Sequence, residues 1–585
     1  MSNGMDRARQ FLREIKKDPA RKLIVVDPRR TETADYADIH LAVHPGRDAW
    51  CMAAILGHLV QQKLLPMNWL AEHAAGFETV IAKFQAIPVE AFARFAGLEP
   101  ALVQETAEVI AQAQSFALEE DIGIQMAPHS TLVTYLNHLV QLMTGNYGKP
   151  GAANMTAQMV PIIPIDYSAV DENGYEISRR TLPCTGVPIV SGLFPAIFMA
   201  DEMLSDSDER PRALIVESSN PVHSLPDANK LRKAIRGLDF SVAIDVAMTE
   251  TARECDYVLP APTQYEKWEA TFFPRNFPDN YFHLRQPILE PIGDTLPEPE
   301  IHARLIEALG VVTPDELAPL QEAAQQGMNA YREALFAEMG NNPGISKYLS
   351  YLLYRTLGPT LPAGQQGTAA IWGLCQMFSM KHPTELARAG FEGEQAGSNL
   401  FKALVESPTA VVYSESTAEE SFQRIPHDQQ KLQMLIGELL DEVDTLLDMQ
   451  PLVQTSDEFP FALVAGARRA YTANCNIRDP RWLKGRDATA LTMHPDDAHR
   501  LCLEEGSQVR LRTATGEATV DLAFDDRMHP GTLSVPNGQG MDFVSEDGET
   551  LDGGVYVNQL TSTAHCDRFI GTPLHKFVPA SVTAA

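Results

Sequence analysis

The chain has 585 residues, 44% of them apolar, more than one hydrophobic core usually serves, so two to four domains are expected. Its 47 Lys and Arg against 77 Asp and Glu leave a formal charge of -30, which excludes non-specific attachment to nucleic acid or an anionic bilayer. Nothing in it reads as an apolar leader or a membrane span, so the expectation is a cytoplasmic protein that meets phosphate-bearing ligands with local Arg and backbone N–H groups.

In chain order, "KLIVVD" predicts a short strand ending in Asp, and "DAWCMAAILGHLVQQKLL" and "ALVQETAEVIAQAQ" predict helices. "FALEEDIGIQ" predicts a strand meeting a turn, and "STLVTYLNHLVQLMTGNYGKPGAAN" a helix stopped at Gly145, with a boundary near residue 150. "RALIVESSNP" and "DFSVAID" are buried strands flanking the helical "LPDANKLRKAIRG". Residues 301–457 read as mostly helical and carry no recognisable chemistry; "KLQMLIGELLDEVDTLLDM" closes them as an amphipathic helix. From 458 to 585 period-2 alternation with Gly-containing turns predicts a β-barrel or sandwich. The seven cysteines stand far apart without a C-x-x-C and are expected as reduced thiols, mostly in cores. The expected fold class is α/β: two pseudo-symmetric α/β nucleotide-binding units with parallel sheets (1–150 and 151–300), a helical segment (301–457) and a C-terminal β-barrel domain (458–585).

A repeat organises the first half. "IVVDPRRTETADYADIHL" is echoed by "VAIDVAMTETARECDYVL" at a constant offset, so Asp27 aligns with Asp245, Thr31 with Thr249, Asp38 with Asp256 and Asp48 with Glu266. Thr and Glu favour helix starts, but that preference does not explain acidic residues recurring well outside them. In an α/β unit a carboxylate beyond a strand's C-terminal end accepts hydrogen bonds from a ribose diol or from guanine N–H groups. Two facing units would hold two nucleotides, with Arg29, Arg30 and a helix N-terminus near Thr31 on one diphosphate and Arg47 nearby.

Together "VVDPRRTETADYADIHLAVHPGRDA", "LMTGNYGKPGAAN", "IVESSNP", "TETARECDYVLPAPTQYE" and "VNQLTSTAHCDRFIGTPLHK" resemble the molybdopterin oxidoreductases of the dimethyl-sulfoxide-reductase superfamily, in texture their formate-dehydrogenase-like members. The resemblance implies two molybdopterin guanine dinucleotides holding one molybdenum or tungsten, acting on a small-molecule substrate. It places Asp27, Arg29, Thr31, Gly46 and Asp48 around one guanine nucleotide, and Asn220, Asp245 and Glu266 around the other. Gly123, Gln125 and His129 of "EDIGIQMAPHS" fall in a loop near the pterins, with His129 toward a substrate channel. "LVAGARRAYTANCN" resembles a turn closing over the cofactors, built from Gly466, Arg468 or Arg469, Tyr471, Thr472 and Asn474; Ala467 after the glycine departs from the commoner Gly-Arg and leaves the phosphate assignment between the two arginines. Asn558, His575 and Lys576 match positions near a pterin.

Family members usually begin with an iron–sulfur domain and a segment supplying a Cys, selenocysteine, Ser or Asp ligand to the metal. Neither is seen in this chain, and no residue is assigned as metal ligand, catalytic acid or catalytic base. The first-half counterpart of "RALIVE" falls before residue 1, so the first unit is expected to lack a strand. A start placed too far downstream, a partner chain holding the missing region, and a decayed homologue are the three accounts. The helix before Thr-Gly-Asn carries no Arg where formate-dehydrogenase-like relatives have one, which argues against formate as substrate. A non-catalytic cofactor-binding or assembly subunit is the alternative function. An NAD-dependent dehydrogenase ranks last for want of a G-x-G-x-x-G after a strand.

Overall fold

The structure, a computed structural model, describes residues 7–160, 170–176, 179–190, 192–271, 275–426, 429–467, 477–483, 489–541, 543–545, 547–551 and 553–585. In the first unit β1 (Ile24–Val26) and β2 (Ile39–Leu41) pair in parallel. They lead into helix α1 (Asp48–Gln61), whose residues from Ala49 to Val60 are all buried. A helix apolar on every side must be enclosed on every side. It is surrounded here by α2 (Pro100–Gln112), α3 (Ser130–Met143) and other helices of one large core. Helix α3 ends where expected, with Gly145 at φ 74° in the left-handed region that a side chain disfavours.

Two expectations for this region are corrected. Phe116–Asp121 forms no strand, and helix Ile122–Gln125 follows it. Polar side chains supply partners in place of a ladder: Phe116 N–H donates to Asn146 Oδ1 at 2.9 Å, while Glu120 accepts from Thr134 Oγ1 at 2.8 Å and Asn137 Nδ2 at 2.9 Å. The amphipathic segment at 431–449 divides into a short strand (Leu432–Gln433, parallel to Ala74–Ala75), a helix (Gly437–Thr445) and a 3-10 turn, and it joins the core of the first unit. Trp50 fastens it there, donating Nε1–H to Leu446 O at 2.9 Å. Trp50→Phe should therefore lower unfolding stability by about 1–3 kcal/mol, measured by denaturant titration, because it leaves a buried carbonyl without its donor. An unchanged midpoint would mean the contact contributes nothing.

In the second unit β3 (Ala213–Glu217), β4 (Phe240–Asp245) and β5 (Tyr257–Pro260) form a parallel sheet in that order, with helix α4 (Ala228–Arg236) crossing from β3 to β4. A second, antiparallel sheet joins β6 (Glu269–Thr271), β7 (Asp279–Arg285) and β8 (Val411–Glu415). The expected helical segment thus contributes a strand to its neighbour. Its own core gathers Tyr331, Leu352, Trp372 and Leu400.

Strands β9 (Phe461–Ala467), β10 (Leu491–Met493), β11 (Gln508–Thr513), β12 (Glu517–Phe524), β13 (Thr532–Pro536) and β14 (Val578–Ala584) close a barrel in the order β9-β13-β10-β12-β11-β14. Burial alternates strictly along β11, as the sequence does. Val509, Leu511, Leu522 and Leu533 fill the interior. Among the described residues no helix is long and apolar enough to cross a membrane.

Candidate functional site

The sequence repeat is a structural repeat down to single hydrogen bonds. Ile24 pairs with Ile39 in the first sheet, and their repeat mates Val242 and Tyr257 pair with each other in the second. Arg29 N–H donates to Asp27 Oδ1 at 2.8 Å, as Ala247 N–H does to Asp245 Oδ1 at 3.1 Å. Leu23 N–H donates to Asp38 Oδ2 at 2.9 Å, as Ser241 N–H does to Asp256 Oδ2 at 2.8 Å. Thr31 Oγ1 accepts from Ala34 N–H at 3.3 Å, and Thr249 Oγ1 from Ala252 N–H at 3.1 Å. Local convergence on a helix-start preference cannot set strand register and flanking contacts together, so the two units share one construction. Asp27 and Asp245 consequently stand at corresponding strand tips. The helix expected near Thr31 is a single 3-10 turn, Ala34–Tyr36, matched by Ala252–Glu254. One short turn aligns few peptide dipoles, so no helix-terminus phosphate site is built there.

In the first unit burial raises the Asp27 carboxyl and lifts that of Asp48 to about 6, Asp27 adding its charge to the effect on Asp48. Carboxyls partly withdrawn from water, one feeling the charge of the other, favour a ligand that brings N–H donors. Gly46, two residues before Asp48, has φ 74°, and a Cβ there would meet Phe577 at 3.0 Å and Pro128 at 3.1 Å. The glycine lets the C-terminal segment approach. Arg29 pairs with Asp525 just past β12, and Arg527 of the same loop pairs with Asp35. Arg30 and Arg47 are turned elsewhere than expected. Arg30 meets Asp35, 3.0 Å away, while Arg47 donates to Phe95 O at 2.7 Å and lies 4.4 Å from the centre of the Phe95 ring.

In the second unit burial raises the Asp245 carboxyl against the backbone N–H groups of Ala247 and Val246 and, to a smaller extent, the charge of Arg478, in the connection from β9 to β10. Asn220 acts within the protein, donating Nδ2–H to Glu250 Oε2 at 2.7 Å and accepting from Thr251 N–H at 3.1 Å and Oγ1–H at 2.8 Å. Glu266 departs from its repeat mate. It accepts from Thr263 N–H at 2.6 Å and Ile292 N–H at 3.1 Å, contacts that hold its carboxyl below the usual range, whereas Asp48 is pushed above it.

The C-terminal domain touches both units. Tyr556 O–H donates to Val222 O and stacks on His223 at 4.7 Å, and Asn558 Nδ2–H donates to His223 O at 2.6 Å. On the other side Lys576 N–H donates to Met126 O at 3.0 Å and Lys576 Nζ–H to Gly466 O at 2.8 Å. Gly466 has φ 80°, with Asn537 3.1 Å from where a Cβ would lie. Gly123 faces open space and Gln125 is exposed, 3.3 Å from Glu120. His129 is buried, its Nδ1 2.9 Å from Glu442 Oε1, beside a cavity of about 220 Å³ that Cys566, Asp567, Arg568 and Phe569 also line. Arg468, Arg469, Tyr471, Thr472 and Asn474 lie outside the described residues.

Four buried polar atoms lack a hydrogen-bond partner among the described residues around these loops: Arg29 Nε, His129 Nε2, Asn537 Oδ1 and His575 Nε2. Burial, with the charge of Lys576 adding to it, pushes the His575 imidazole down to about 3, so it is neutral. Donors and acceptors without a partner among the described residues, together with the strand-tip carboxylates, fit a ligand bearing a heteroaromatic base and phosphates. Sequence reading missed Arg478, Glu250, Asp525 and Asn537. Glu250 lies within the echo and was legible there, while the others carry no local signature.

Two family models match the chain: Molybdopterin oxidoreductase over residues 5–308 and Molydopterin dinucleotide binding domain over residues 461–579. The chain is 28% identical over 317 residues to an F420-dependent formate dehydrogenase subunit alpha of Methanocaldococcus jannaschii, covering 52% of this chain and 45% of that protein. It is 22% identical over 518 residues to the probable oxidoreductase YoaE of Bacillus subtilis, covering 88% and 64%. The fold is similar to that of the acetylene hydratase from Pelobacter acetylenicus, with TM-score 0.65, 17% identity, and 96% of this chain and 74% of that chain covered. The matches thus span 45% and 64% of these two curated relatives' own length.

Proposed function

Because the chain belongs to the molybdopterin oxidoreductase family, we propose that it is the body of a cytoplasmic oxidoreductase that holds two molybdopterin guanine dinucleotides, one per α/β unit, and a molybdenum or tungsten ion between them. The duplicated strand-tip carboxylates carry this reading: Asp27 and Asp245 occupy equivalent positions with equivalent hydrogen bonds. Bound there, the cofactor supplies two-electron or oxygen-atom chemistry on a small substrate. The chain's own residues bind and orient. Asp27 and Asp48 accept guanine N–H groups in the first unit, Asp245 does so in the second, and Arg29 meets phosphate. Gly46 lets Phe577 and Pro128, and Gly466 lets Asn537, pack close beside the ligand's loops, and neutral His575 offers a hydrogen bond without a charge. The proposal includes a redox partner or a chain supplying the iron–sulfur and metal-ligand region. All of the described cysteines are free thiols, which supports a reducing compartment.

Chain purified from a host that makes the cofactor should carry fluorescent oxidised pterin with about one metal per two pterins, read by fluorescence and elemental analysis. Pterin-free chain overturns the reading. Pterin without metal points to a non-catalytic binding or assembly subunit instead.

A further inference from the structure

The repeat is broken at one chemically important place. Arg29 flanks the strand-tip carboxylate of the first unit, but its mate is Ala247, which has no side chain to meet a phosphate. The second unit is not left without an arginine there. Arg478 arrives from the C-terminal region, places Nη2 2.7 Å from Glu250 Oε1 and Nη1 3.3 Å from Oε2, and acts electrostatically on the Asp245 carboxyl. We propose that Arg478 binds the phosphate of the guanine nucleotide in the second unit, filling the place that Arg29 holds in the first; this rests on the two-nucleotide reading above.

The contacts that hold the two arginines support the exchange. Arg29 comes from the α/β unit and is held by Asp525 of the barrel, whereas Arg478 comes from the C-terminal region and is held by Glu250 of the α/β unit. Each half therefore has a cross-domain arginine–carboxylate pair beside its strand tip, with the donor side reversed. Glu250 is buried, and its repeat mate Glu32 is exposed. Burying a carboxylate is expensive unless it has a task, and in the second unit the task is to fix an arginine that the first unit does not need to import. Against the upward push of burial, Arg478 and Asn220 pull the Glu250 carboxyl down to about 2, so the clamp is ionised throughout the neutral range. The fork on Glu250, with Met541 Sδ 3.5 Å from Nη1, fixes the orientation of the guanidinium. Such a group, oriented in advance, suits a phosphate better than a mobile lysine does.

The alternative is that Arg478 only neutralises Glu250, and a paired substitution separates the two roles. GDP and guanosine would be titrated calorimetrically into full-length chain purified from a host lacking the cofactor. The parent chain should bind two GDP. Arg29→Gln and Arg478→Gln should each weaken one site at least about tenfold and leave guanosine binding unchanged. Glu250→Gln combined with Arg478→Gln replaces the ion pair by two neutral amides, and it should recover the parent melting temperature while the second GDP site stays weak. Recovery of that site in the double variant, or parent-like GDP binding by Arg478→Gln, overturns the assignment of Arg478 alone. A parent chain that binds no GDP overturns the two-nucleotide reading and this inference with it.

Discussion

At neutral pH the Asp48→Asn variant should melt above the parent chain and yet lose guanine-nucleotide binding in its first unit. Burial lifts the folded-state pKa of Asp48 to about 6 from an ordinary value of 3.8. Between those values the folded state holds a proton that the unfolded state releases, so stability falls as pH rises through the window and remains lower above it. A shift of about two units corresponds to about 3 kcal/mol as an upper figure. Asp48 also begins helix α1, where a negative charge contributes only about 0.3–1 kcal/mol in its favour, so the burial term wins. Asparagine removes the larger penalty and keeps the shape. A ligand bringing N–H donors reverses the balance, because it stabilises the ionised carboxylate. Nucleotide affinity in the parent should therefore strengthen as pH rises through about 6, and in the variant it should be weaker by at least about tenfold and lack that dependence. Melting curves of ligand-free protein at acidic and neutral pH, with GDP titrations at both, check each part. The melting gap between the chains should close toward pH 4. A variant less stable than the parent at neutral pH would show that Asp48 is a structural residue.

The repeat was legible because it is written in contiguous residues. Strand, Asp, turn and second Asp lie within one short stretch in each copy, so a constant offset exposes them. The barrel was legible for a related reason: alternation along β11 and β12 is the direct imprint of one buried face. What escaped depends on pairings distant in sequence. Val411–Glu415 reads as a connection between helices until β7 supplies its partner, and Leu432–Gln433 has meaning only beside Ala74–Ala75. Arg478 shares no motif with Asp245 and reaches it through the tertiary fold alone. Glu266 differs from its mate in its contacts. It keeps the acidic character of its mate, but with no helix starting there its carboxylate turns back to its own turn. The expected helix at Thr31 failed because Thr-Glu-Thr-Ala gives a helix start without the apolar period needed to extend it beyond one turn.

Removing the carboxylate of Asp567 should destabilise the protein severely, by about 3–5 kcal/mol. Its side chain is buried and accepts from Ser130 Oγ–H at 3.1 Å, Thr131 N–H at 3.2 Å, Thr131 Oγ1–H at 2.8 Å, Phe569 N–H at 2.9 Å and Ile570 N–H at 3.2 Å. One carboxylate thus caps the start of α3 and shapes its own loop, joining two segments that lie far apart in sequence. Each buried donor left unsatisfied costs about 1–3 kcal/mol, less whatever the site recovers by relaxing or admitting water. Asp567→Ala abandons all of these donors, whereas Asp567→Asn keeps one carbonyl oxygen and should lose roughly half as much. Denaturant titration of both variants gives the ranking. A cycle with Thr131→Val isolates the contact between the units, for which a coupling of about 1–2 kcal/mol is expected. The consequence reaches the loops at Met126 and Lys576, because α3 follows directly on the segment that carries Met126, and Lys576, a short way beyond Asp567, binds Met126 O. Amide exchange at Lys576 should therefore accelerate in Asp567→Asn at a denaturant concentration where the rest of the barrel stays protected. If Lys576 exchanges only when the whole barrel opens, the cap stabilises the fold without positioning those loops.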